Sequence, residues 1–379
     1  MRSPLKVLVD CVPLAVGGGV QVAIAVLVGL KRQALIDWVA IVPVGLRSAL
    51  PAELVDDGRI IYVNRRSQVD RVWLTPYLML LERKIAPDVV FTVFGPPFFR
   101  ARAPHIVGFA LPRLIYARDA ALPPETLLDK IGDRARAFLF RQADFQVVET
   151  ETAKMRLSAR IGVDPQLISV IPNSPNPLLR APAADEASMD GRFVVLIPSA
   201  YYQHKNLEIV PRVAAAFKRM APDLDFVFRF TLAVASEGWQ RIKAEAERLG
   251  VGERIETLGV VKITDLSQAY RDASAIYLPT LREVSSAVYP ESFLFRRPLV
   301  TTDMDFAREL CGDGALFVPP HSPEDAAAAF SELARSPEVV AALVEAGSRQ
   351  LSRAYPTAEE KFRMQIDLIR FVAAAGHSR

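Results

Sequence analysis

Two glutamates, Glu283 and Glu291, have a spacing and setting that could support chemistry. Glu283 follows the apolar run 275–280, a predicted strand, and Glu291 lies in the first turns of a helix predicted to begin near residue 286 or 287. Carboxylates beside a helix N-terminus suit a ligand that carries both hydroxyls and phosphate, because they accept hydrogen bonds while the exposed N–H groups attract anions. Spacing alone leaves another interpretation open, in which Glu283 is a solvated loop residue and Glu291 a surface helix residue.

A lysine stands at the start of another predicted helix. Lys205 lies in the tetrapeptide QHKN, at the beginning of the helical pattern 205–220. A cation at the positive end of a helix is electrostatically unfavourable unless an anion lies nearby. The position therefore favours an anion site, and an ordinary solvated lysine is the alternative.

Three consecutive glycines, Gly17, Gly18 and Gly19, separate the predicted strand 6–11 from a predicted helix near 20–35. Glycines allow a backbone to approach a ligand closely, although a structural tight turn explains them as well. The pattern is not GxGxxG, and no acidic residue follows at the dinucleotide spacing, so a nicotinamide site is disfavoured. The uncharged run 11–30 resembles a signal peptide or a membrane span, but the glycines favour a strand, a turn and a buried helix.

The whole chain alternates short apolar runs with helical patterns, which is typical of βα units and parallel sheets. In the first half we predict strands at 6–11, 38–44, 88–94, 105–110, 144–149 and 167–172, and helices near 20–35, 68–84, 124–142 and 150–161. In the second half we predict strands at 192–200, 225–233, 254–259, 275–280, 298–303 and 315–320. Helices are predicted near 205–220, 236–249, 264–272, 287–296, 322–334, 336–354 and 357–375.

The segment 172–192 is rich in Pro, Asn, Ala and Asp and has no apolar period, so it is a predicted linker. The length of 379 residues also favours two domains. We predict an N-terminal Rossmann-like domain over 1–180 and a C-terminal one over 190–356, with the helix 357–379 packing back on the first. Ligands bind at the carboxyl ends of such strands, which predicts an active site between the domains.

Composition excludes several classes of protein. The two cysteines, Cys11 and Cys311, form no CxxC or Cys/His cluster, which fits a reducing compartment and argues against a structural zinc site. The four histidines are not spaced as metal ligands. We therefore expect a cytoplasmic protein without a bound metal.

The net charge of +3 hides an asymmetry between the two halves. Residues 1–180 carry 23 Lys+Arg against 16 Asp+Glu, and the remainder 23 against 27. A basic face attracts phosphates or anionic lipid headgroups, although ordinary solvated arginines are equally consistent. Nucleic-acid binding is disfavoured because the arginines are not interleaved with aromatic stacking residues. The arginines concerned are Arg65, Arg66, Arg71, Arg100, Arg102, Arg113 and Arg118.

The surroundings of these residues resemble the large E-x7-E family of GT-B retaining glycosyltransferases, of the family 4-like, group 1 type. The glutamate pair stands between a hydrophobic strand and a helix followed by the strand PLVTTD, as in that family. Four further segments are similar to family elements, and together they cover roughly residues 144–335. They begin ADFQVVETE, IPSAYYQHKN, RIETLGVV and FARELCGDG.

The resemblance implies a role for each matching position. Glu291 would bind the ribose hydroxyls of a nucleotide-sugar donor, and Glu283 would contact a hydroxyl of the donor sugar near the reacting carbon. Lys205, with Asn206 beside it, would neutralise the leaving diphosphate, so no metal or other cofactor is expected. The remaining donor-binding candidates are the backbone N–H groups of Val284, Ser285 and Ser286 and the turn Gly17, Gly18 and Gly19.

The chain also departs from the family pattern. The family pairs its lysine with an arginine five or six residues earlier, where this chain has Ala200 and Ser199. The family histidine follows an N-domain strand, whereas His105 precedes one and is predicted to be structural. In the loop that follows, Arg113 and Arg118 are the candidates for contacting the acceptor.

The resemblance predicts a retaining, metal-independent hexosyltransferase of α/β class with two Rossmann-like domains in the GT-B arrangement. The expected donor is a nucleotide-sugar, and the expected acceptor is a glycan or lipid-linked saccharide in cell-surface polysaccharide synthesis, such as lipopolysaccharide. Peripheral contact with the anionic inner face of the plasma membrane is a further expectation. A degenerate, non-catalytic nucleotide-sugar-binding protein and a nucleotide-sugar epimerase are the alternatives.

Overall fold

In a computed structural model, the protein consists of two α/β units, and each unit is built on a parallel sheet. The structure describes residues 4–15, 18–65, 70–181 and 191–376. The first unit comprises Met1–Ala117, Pro124–Pro172 and Ala358–Arg379, and the second comprises Arg118–Pro123 and Asn173–Thr357. The division at Pro172 and Asn173 falls where the Pro- and Asn-rich segment begins.

The first unit is built on a seven-stranded sheet with the order β3-β2-β1-β4-β5-β6-β7. Every pairing in it is parallel. In chain order its elements are β1 (Leu5–Asp10), α1 (Gly18–Lys31), β2 (Ile36–Pro43), α2 (Ala52–Val55), β3 (Ile60–Val63), α3 (Arg71–Ile85), β4 (Val89–Thr92), β5 (His105–Gly108), α4 (Pro112–Ile115), α5 (Leu127–Arg141), β6 (Phe145–Val148), α6 (Glu151–Ile161) and β7 (Ile168–Val170).

The C-terminal helix completes the core of the first unit. This helix, labelled α14 (Ala358–Gly376), buries Ile366, Ile369 and Val372 in the cluster that contains the inward residues of α1. Gly29 in α1 allows the close approach, because a Cβ at that position would lie 2.5 Å from the ring of Phe362. The helix α3 packs on a separate cluster of the same sheet.

The second unit has a six-stranded parallel sheet with the order β10-β9-β8-β11-β12-β13. Its elements are β8 (Phe193–Ile197), α7 (Val210–Met220), β9 (Phe226–Phe230), α8 (Glu237–Arg248), β10 (Ile255–Thr257), α9 (Ile263–Arg271), β11 (Ala275–Leu278), α10 (Val288–Leu294), β12 (Leu299–Thr302), α11 (Asp305–Cys311), β13 (Ala315–Val318), α12 (Pro323–Arg335) and α13 (Pro337–Ala354). Its core is rich in aromatic side chains, with Phe217, Phe228 and Phe330 in mutual ring contact.

All the predicted strands and long helices are present, and the predicted α/β fold class is confirmed. The apolar run 11–30 forms the loop after β1 and most of α1, as the glycines indicated. Sequence patterns missed β3, α2, α4 and α11, because each has at most seven residues and too few turns or alternations to show a period.

The short segment Arg118–Pro123 belongs to the second unit although its neighbours in the chain belong to the first. Asp119 Oδ2 lies 3.0 Å from Nε2 of His321, which follows β13. A contact of this kind between distant parts of the chain has no signature in local sequence.

Candidate active site

The loop that carries Glu283 is hydrogen-bonded to the loop after β8. Leu281 donates its backbone N–H to the carbonyl oxygen of His204 at 2.8 Å. The hydroxyl of Thr280 lies 3.2 Å from the same carbonyl and 3.2 Å from Oε1 of Glu283. Because β8 and β11 are parallel neighbours, their carboxyl-terminal loops emerge at the same edge of the sheet.

This arrangement places Lys205 against Glu283. Nζ of Lys205 forms an ion pair with Oε1 of Glu283, and the two side chains are only 13% and 9% exposed. Screening by solvent is therefore weak, and each charge depends on the other for compensation. Two residues predicted for one site are thus in direct contact.

Asn206 ends the short 3-10 helix Gln203–Lys205 in a left-handed conformation, with φ of 54°. Asparagine tolerates this conformation better than most residues. Its side-chain amide donates to the carbonyl oxygen of Pro320 at 3.3 Å, at the end of β13. The observed role of Asn206 is to hold the Lys205 turn, and its contact with a donor stays a prediction.

Glu291 is buried in α10, with only 5% of the residue exposed. The hydroxyl of Tyr270 donates to its Oε2 at 2.8 Å, and the Tyr270 ring stacks on Phe295 at a centroid distance of 4.9 Å. Burial raises the pKa of Glu291 to about 7, while the hydrogen bond from Tyr270 lowers it. The other carboxylate oxygen accepts no hydrogen bond from the described residues, so it is available to a donating hydroxyl.

Most of the residues between the glutamates are also buried. Val284 and Ser286 are buried, and the hydroxyl of Ser285 is inaccessible and has no hydrogen-bond partner among the described residues. A buried hydroxyl without a partner is the kind of group that a ligand satisfies. The predicted backbone contacts of this loop with a donor are not tested by the structure.

Two residues that were not predicted from the sequence hold Glu291 in position. Tyr270 on α9 has no spacing relationship to the glutamates, and only its burial reveals it. Gly347 on α13 is the second, since a Cβ there would lie 2.6 Å from the ring of Phe293 on α10. This glycine allows α13 to pack closely against the helix that carries Glu291.

Ser199 and Ala200, which stand where the family has its arginine, carry no charge, and Ser199 is buried. His204, next to Lys205, is also neutral near pH 7, because burial lowers its pKa to about 4. The His204 ring stacks on Tyr202 at 5.6 Å. Arg282, next to Glu283, is close enough for its charge to lower the pKa of His204, which places a second cation near Lys205.

In the first unit, the loop after β1 is held by two charged side chains. Asp10 Oδ1 accepts the N–H of Val12 at 2.9 Å, and Arg65 donates to the carbonyl oxygens of Val12 and Leu14 at 3.0 and 2.8 Å. Gly18 begins α1 and has open space at its Cβ position, whereas a Cβ at Gly19 would lie 3.2 Å from Leu14 and Phe94. Gly17 lies outside the described residues.

His105 is buried at the start of β5 and has a hydrogen-bonded role within the fold. Its Nε2 lies 2.8 Å from the hydroxyl of Thr92, which donates to Oδ2 of Asp10 at 2.9 Å. Burial lowers the pKa of His105 to about 3 and raises the pKa of Asp10 to about 6. These contacts agree with the predicted structural role of this histidine.

The two predicted acceptor arginines are engaged in local contacts. Arg113 forms ion pairs with Asp133 at 3.0 Å and Asp129 at 3.4 Å, both on α5. Arg118 donates to the carbonyl oxygens of Leu122 and Pro123. Their contact with an acceptor stays a prediction.

Within the described ranges there is no cluster of three His, Cys, Asp or Glu side chains that could hold a metal ion. The same residues include no helix that is long and apolar enough to cross a membrane.

Part of the second unit matches a known protein family. Residues 192–336 match the model of the family described as "Glycosyl transferases group 1". No curated protein matches the chain. The match covers β8 to α12, which includes Lys205, Glu283 and Glu291.

Solved glycosyltransferase structures share the fold over nearly the whole chain. An α,α-trehalose-phosphate synthase (UDP-forming) from Burkholderia vietnamiensis has 16% identity and a TM-score of 0.73, covering 99% of this chain and 100% of its own. HepE from Anabaena, in complex with UDP-glucose, has 15% identity and a TM-score of 0.72, covering 97% and 99%. Sucrose-phosphate synthase from Thermosynechococcus elongatus has 14% identity and a TM-score of 0.71, covering 98% and 100%.

The chain therefore has the GT-B fold of glycosyltransferases. Within the second unit, residues 192–336 match the group 1 glycosyl transferase model. The predicted resemblance is confirmed at this level, and the finer assignment to the E-x7-E, family 4-like type stays a prediction.

Proposed function

We propose that this protein is a retaining glycosyltransferase that moves a sugar from a nucleotide-sugar to a glycan or lipid-linked saccharide in cell-surface polysaccharide synthesis. The observation that carries the proposal is the nearly buried ion pair of Lys205 with Glu283, followed along the chain by the buried Glu291 of α10. HepE, which shares the fold, has been solved with UDP-glucose, which supports a nucleotide-sugar as the donor.

Glu291 is the proposed ribose-binding residue. Its free carboxylate oxygen accepts a ribose hydroxyl, while Tyr270 holds the other oxygen in place. A vicinal diol offers two donors to one carboxylate, which gives specificity for a ribonucleotide. The ionised form of Glu291 is the competent acceptor.

Lys205 is the proposed group that stabilises the leaving diphosphate. As the bond between the anomeric carbon and the phosphate oxygen breaks, negative charge grows on the diphosphate, and a fixed cation stabilises it. A new bond forms from the acceptor oxygen to the same face of that carbon. The acceptor proton passes to the departing phosphate oxygen, which balances the reaction without a protein base.

Glu283 has two proposed roles in this scheme. It compensates the charge of Lys205 and holds its ammonium group in position, and it accepts a hydroxyl of the donor sugar. Arg282 supplies the second cation that the family places before its lysine. The first unit is the proposed acceptor-binding unit, and the proposed location is the cytoplasm.

Calorimetry with UDP-, GDP- and ADP-sugars tests the donor site directly. We expect one nucleotide-sugar to bind, and Glu291→Gln to weaken its binding at least tenfold. Glu332→Gln, which changes an exposed glutamate on α12 of the same unit, should leave the affinity unchanged. If no nucleotide-sugar binds the folded protein, the proposal fails.

Product analysis then separates transfer from the alternatives. Retention predicts that donor and product share the same anomeric configuration by NMR. The separate expectation that no metal is needed predicts that a chelator leaves the rate unchanged. Donor binding without transfer to any acceptor or to water would favour a degenerate binding protein. Conversion of the donor sugar into its epimer would favour an epimerase.

A further inference from the structure

Helix α3 of the first unit presents an apolar face outward. Its exposed side chains include Val72, Trp73, Tyr77 and Leu80, with Trp73 77% and Leu80 65% exposed. At 100° per residue these positions fall within one half of the helix surface, and the opposite side packs Leu78 on the sheet. Contiguous apolar patches on the surface of a folded protein mark interaction sites, whereas single exposed apolar residues do not.

Cations gather at the C-terminal end of this face. Arg83 and Lys84 are exposed in the last turn of α3. The buried Oε1 of Glu82 accepts the N–H groups of Arg102 and Ala103 at 2.8 and 3.0 Å, which brings the segment with Arg100 and Arg102 beside that turn. Both of these arginines are exposed, and α3 has no exposed carboxylate.

Helix α5 lies on the same face of the sheet as α3. The connections β3–α3–β4 and β5–α5–β6 cross the sheet in one direction, so right-handed crossovers place both helices on one face. α5 exposes Leu127, Ile131 and Phe138 along one stripe, next to exposed Arg134. Its two carboxylates, Asp129 and Asp133, are ion-paired with Arg113.

The structure also corrects the predicted composition of the basic face. Arg65 and Arg71 are partly buried, stack on Phe98 at 5.2 and 4.7 Å and donate to backbone carbonyls. Arg113 and Arg118 are engaged as described above, and Arg66 lies outside the described residues. The exposed cations of this region are instead those at the end of α3 and in the segment that follows β4.

We propose that the outward faces of α3 and α5 form a docking surface for an anionic lipid bilayer. The pattern is that of an interfacial helix, with tryptophan, tyrosine and leucine entering the headgroup region and Lys or Arg contacting anionic lipids. Charge complementarity selects this occupant, because the apolar face is bordered by four exposed cations. The inference concerns the first unit and does not depend on the donor chemistry proposed for the second.

Trp73 provides a direct test of the surface. The chain has three tryptophans, and the other two, Trp38 and Trp239, are buried. Titration with phosphatidylcholine vesicles that contain phosphatidylglycerol should therefore shift the emission of Trp73 to shorter wavelength. Vesicles of phosphatidylcholine alone should bind far more weakly, and high salt should reduce binding.

Matched variants distinguish binding through this surface from non-specific hydrophobic binding to vesicles. In vesicle co-sedimentation we expect Leu80→Ser to weaken binding about tenfold or more. The double change Arg83→Gln and Lys84→Gln should weaken it on the order of 25-fold, from about fivefold for each cation. Leu35→Ser changes a leucine that is 74% exposed in the loop between α1 and β2, and it should bind like the unchanged protein.

Three outcomes would overturn the proposal. The first is no binding of the folded protein to anionic vesicles, and the second is binding that Leu80→Ser and Leu35→Ser weaken equally. The third is concentration-dependent dimerisation in sedimentation velocity that Leu80→Ser abolishes, because a second copy would then cover the face. Nucleotide-sugar calorimetry on the same variants reports on the second unit, so a failure here is distinguishable from failure of the donor site.

Discussion

Lys205 and Glu283, which come from loops after different strands, form a nearly buried ion pair at one edge of the second unit's sheet. The pair joins the proposed leaving-group cation to the proposed sugar-binding carboxylate. A diphosphate oxygen would become a further partner of the same ammonium group. The same ion pair would therefore affect both the stability of the two loops without a donor and the binding of the donor.

Breaking this pair should destabilise the second unit. Lys205→Met or Glu283→Gln leaves the remaining charge nearly buried without its ion-pair partner, which typically costs about 3 kcal/mol. The double variant should lose clearly less than the sum of the two, because neither charge is then left alone. Urea unfolding of the unchanged protein, the two single variants and the double variant gives a double-mutant cycle. Additive losses of stability would contradict an interaction between Lys205 and Glu283.

Donor affinity should rise with pH through neutrality. The pKa of Glu291 is raised to about 7 by burial, so the carboxylate that accepts ribose hydroxyls is only fully formed above that pH. Tyr270→Phe removes the hydrogen bond that lowers this pKa, and the midpoint should move to higher pH. Nucleotide-sugar calorimetry between about pH 6 and 8.5 measures both effects. A midpoint that stays in place in Tyr270→Phe would argue against this control of Glu291.

His105 should make the first unit sensitive to acid. Its folded pKa of about 3 lies below the ordinary value of 6.5, so the unfolded chain takes up a proton first as the pH falls. The unchanged protein's free energy of unfolding, measured relative to that of His105→Asn, should therefore fall below pH 6.5 by about 1.4 kcal/mol for each pH unit. Urea unfolding at several pH values tests this, with Trp38→Phe as a buried, non-titrating control. A constant difference between His105→Asn and the unchanged protein would contradict it.

The C-terminal helix should contribute strongly to the first unit. Ile369 is buried against the cluster shared with α1 and β1, and Ile369→Ala should cost about 3 kcal/mol in the free energy of unfolding. The buried pair between Lys361 and Glu149, with Nζ and Oε1 3.2 Å apart, anchors the same helix. Arg363→Ala changes an exposed position on α14 and should alter stability by less than about 0.5 kcal/mol. An equal effect of the two substitutions would show that α14 does not complete this core.

Local patterns in the sequence were sufficient to predict both sheets and nearly all of their elements. Buried parallel strands appear as continuous apolar runs, and amphipathic helices have a period that local composition reveals. The same local context, together with the family resemblance, indicated Lys205, Glu283 and Glu291. The short elements β3, α2, α4 and α11 were not predicted because they hold too few residues for a period.

Only the tertiary structure showed the contacts that determine what these side chains can do. The ion pair of Lys205 with Glu283, the support of Glu291 by Tyr270 and the chain Asp10–Thr92–His105 all join residues from separate elements. Likewise, exposure distinguishes the outward-facing Trp73 from the buried Trp38 and separates exposed arginines from engaged ones. Burial and pairing depend on which elements pack together, so spacing along the chain determines the fold class and the site candidates but not their charges, partners or accessibility.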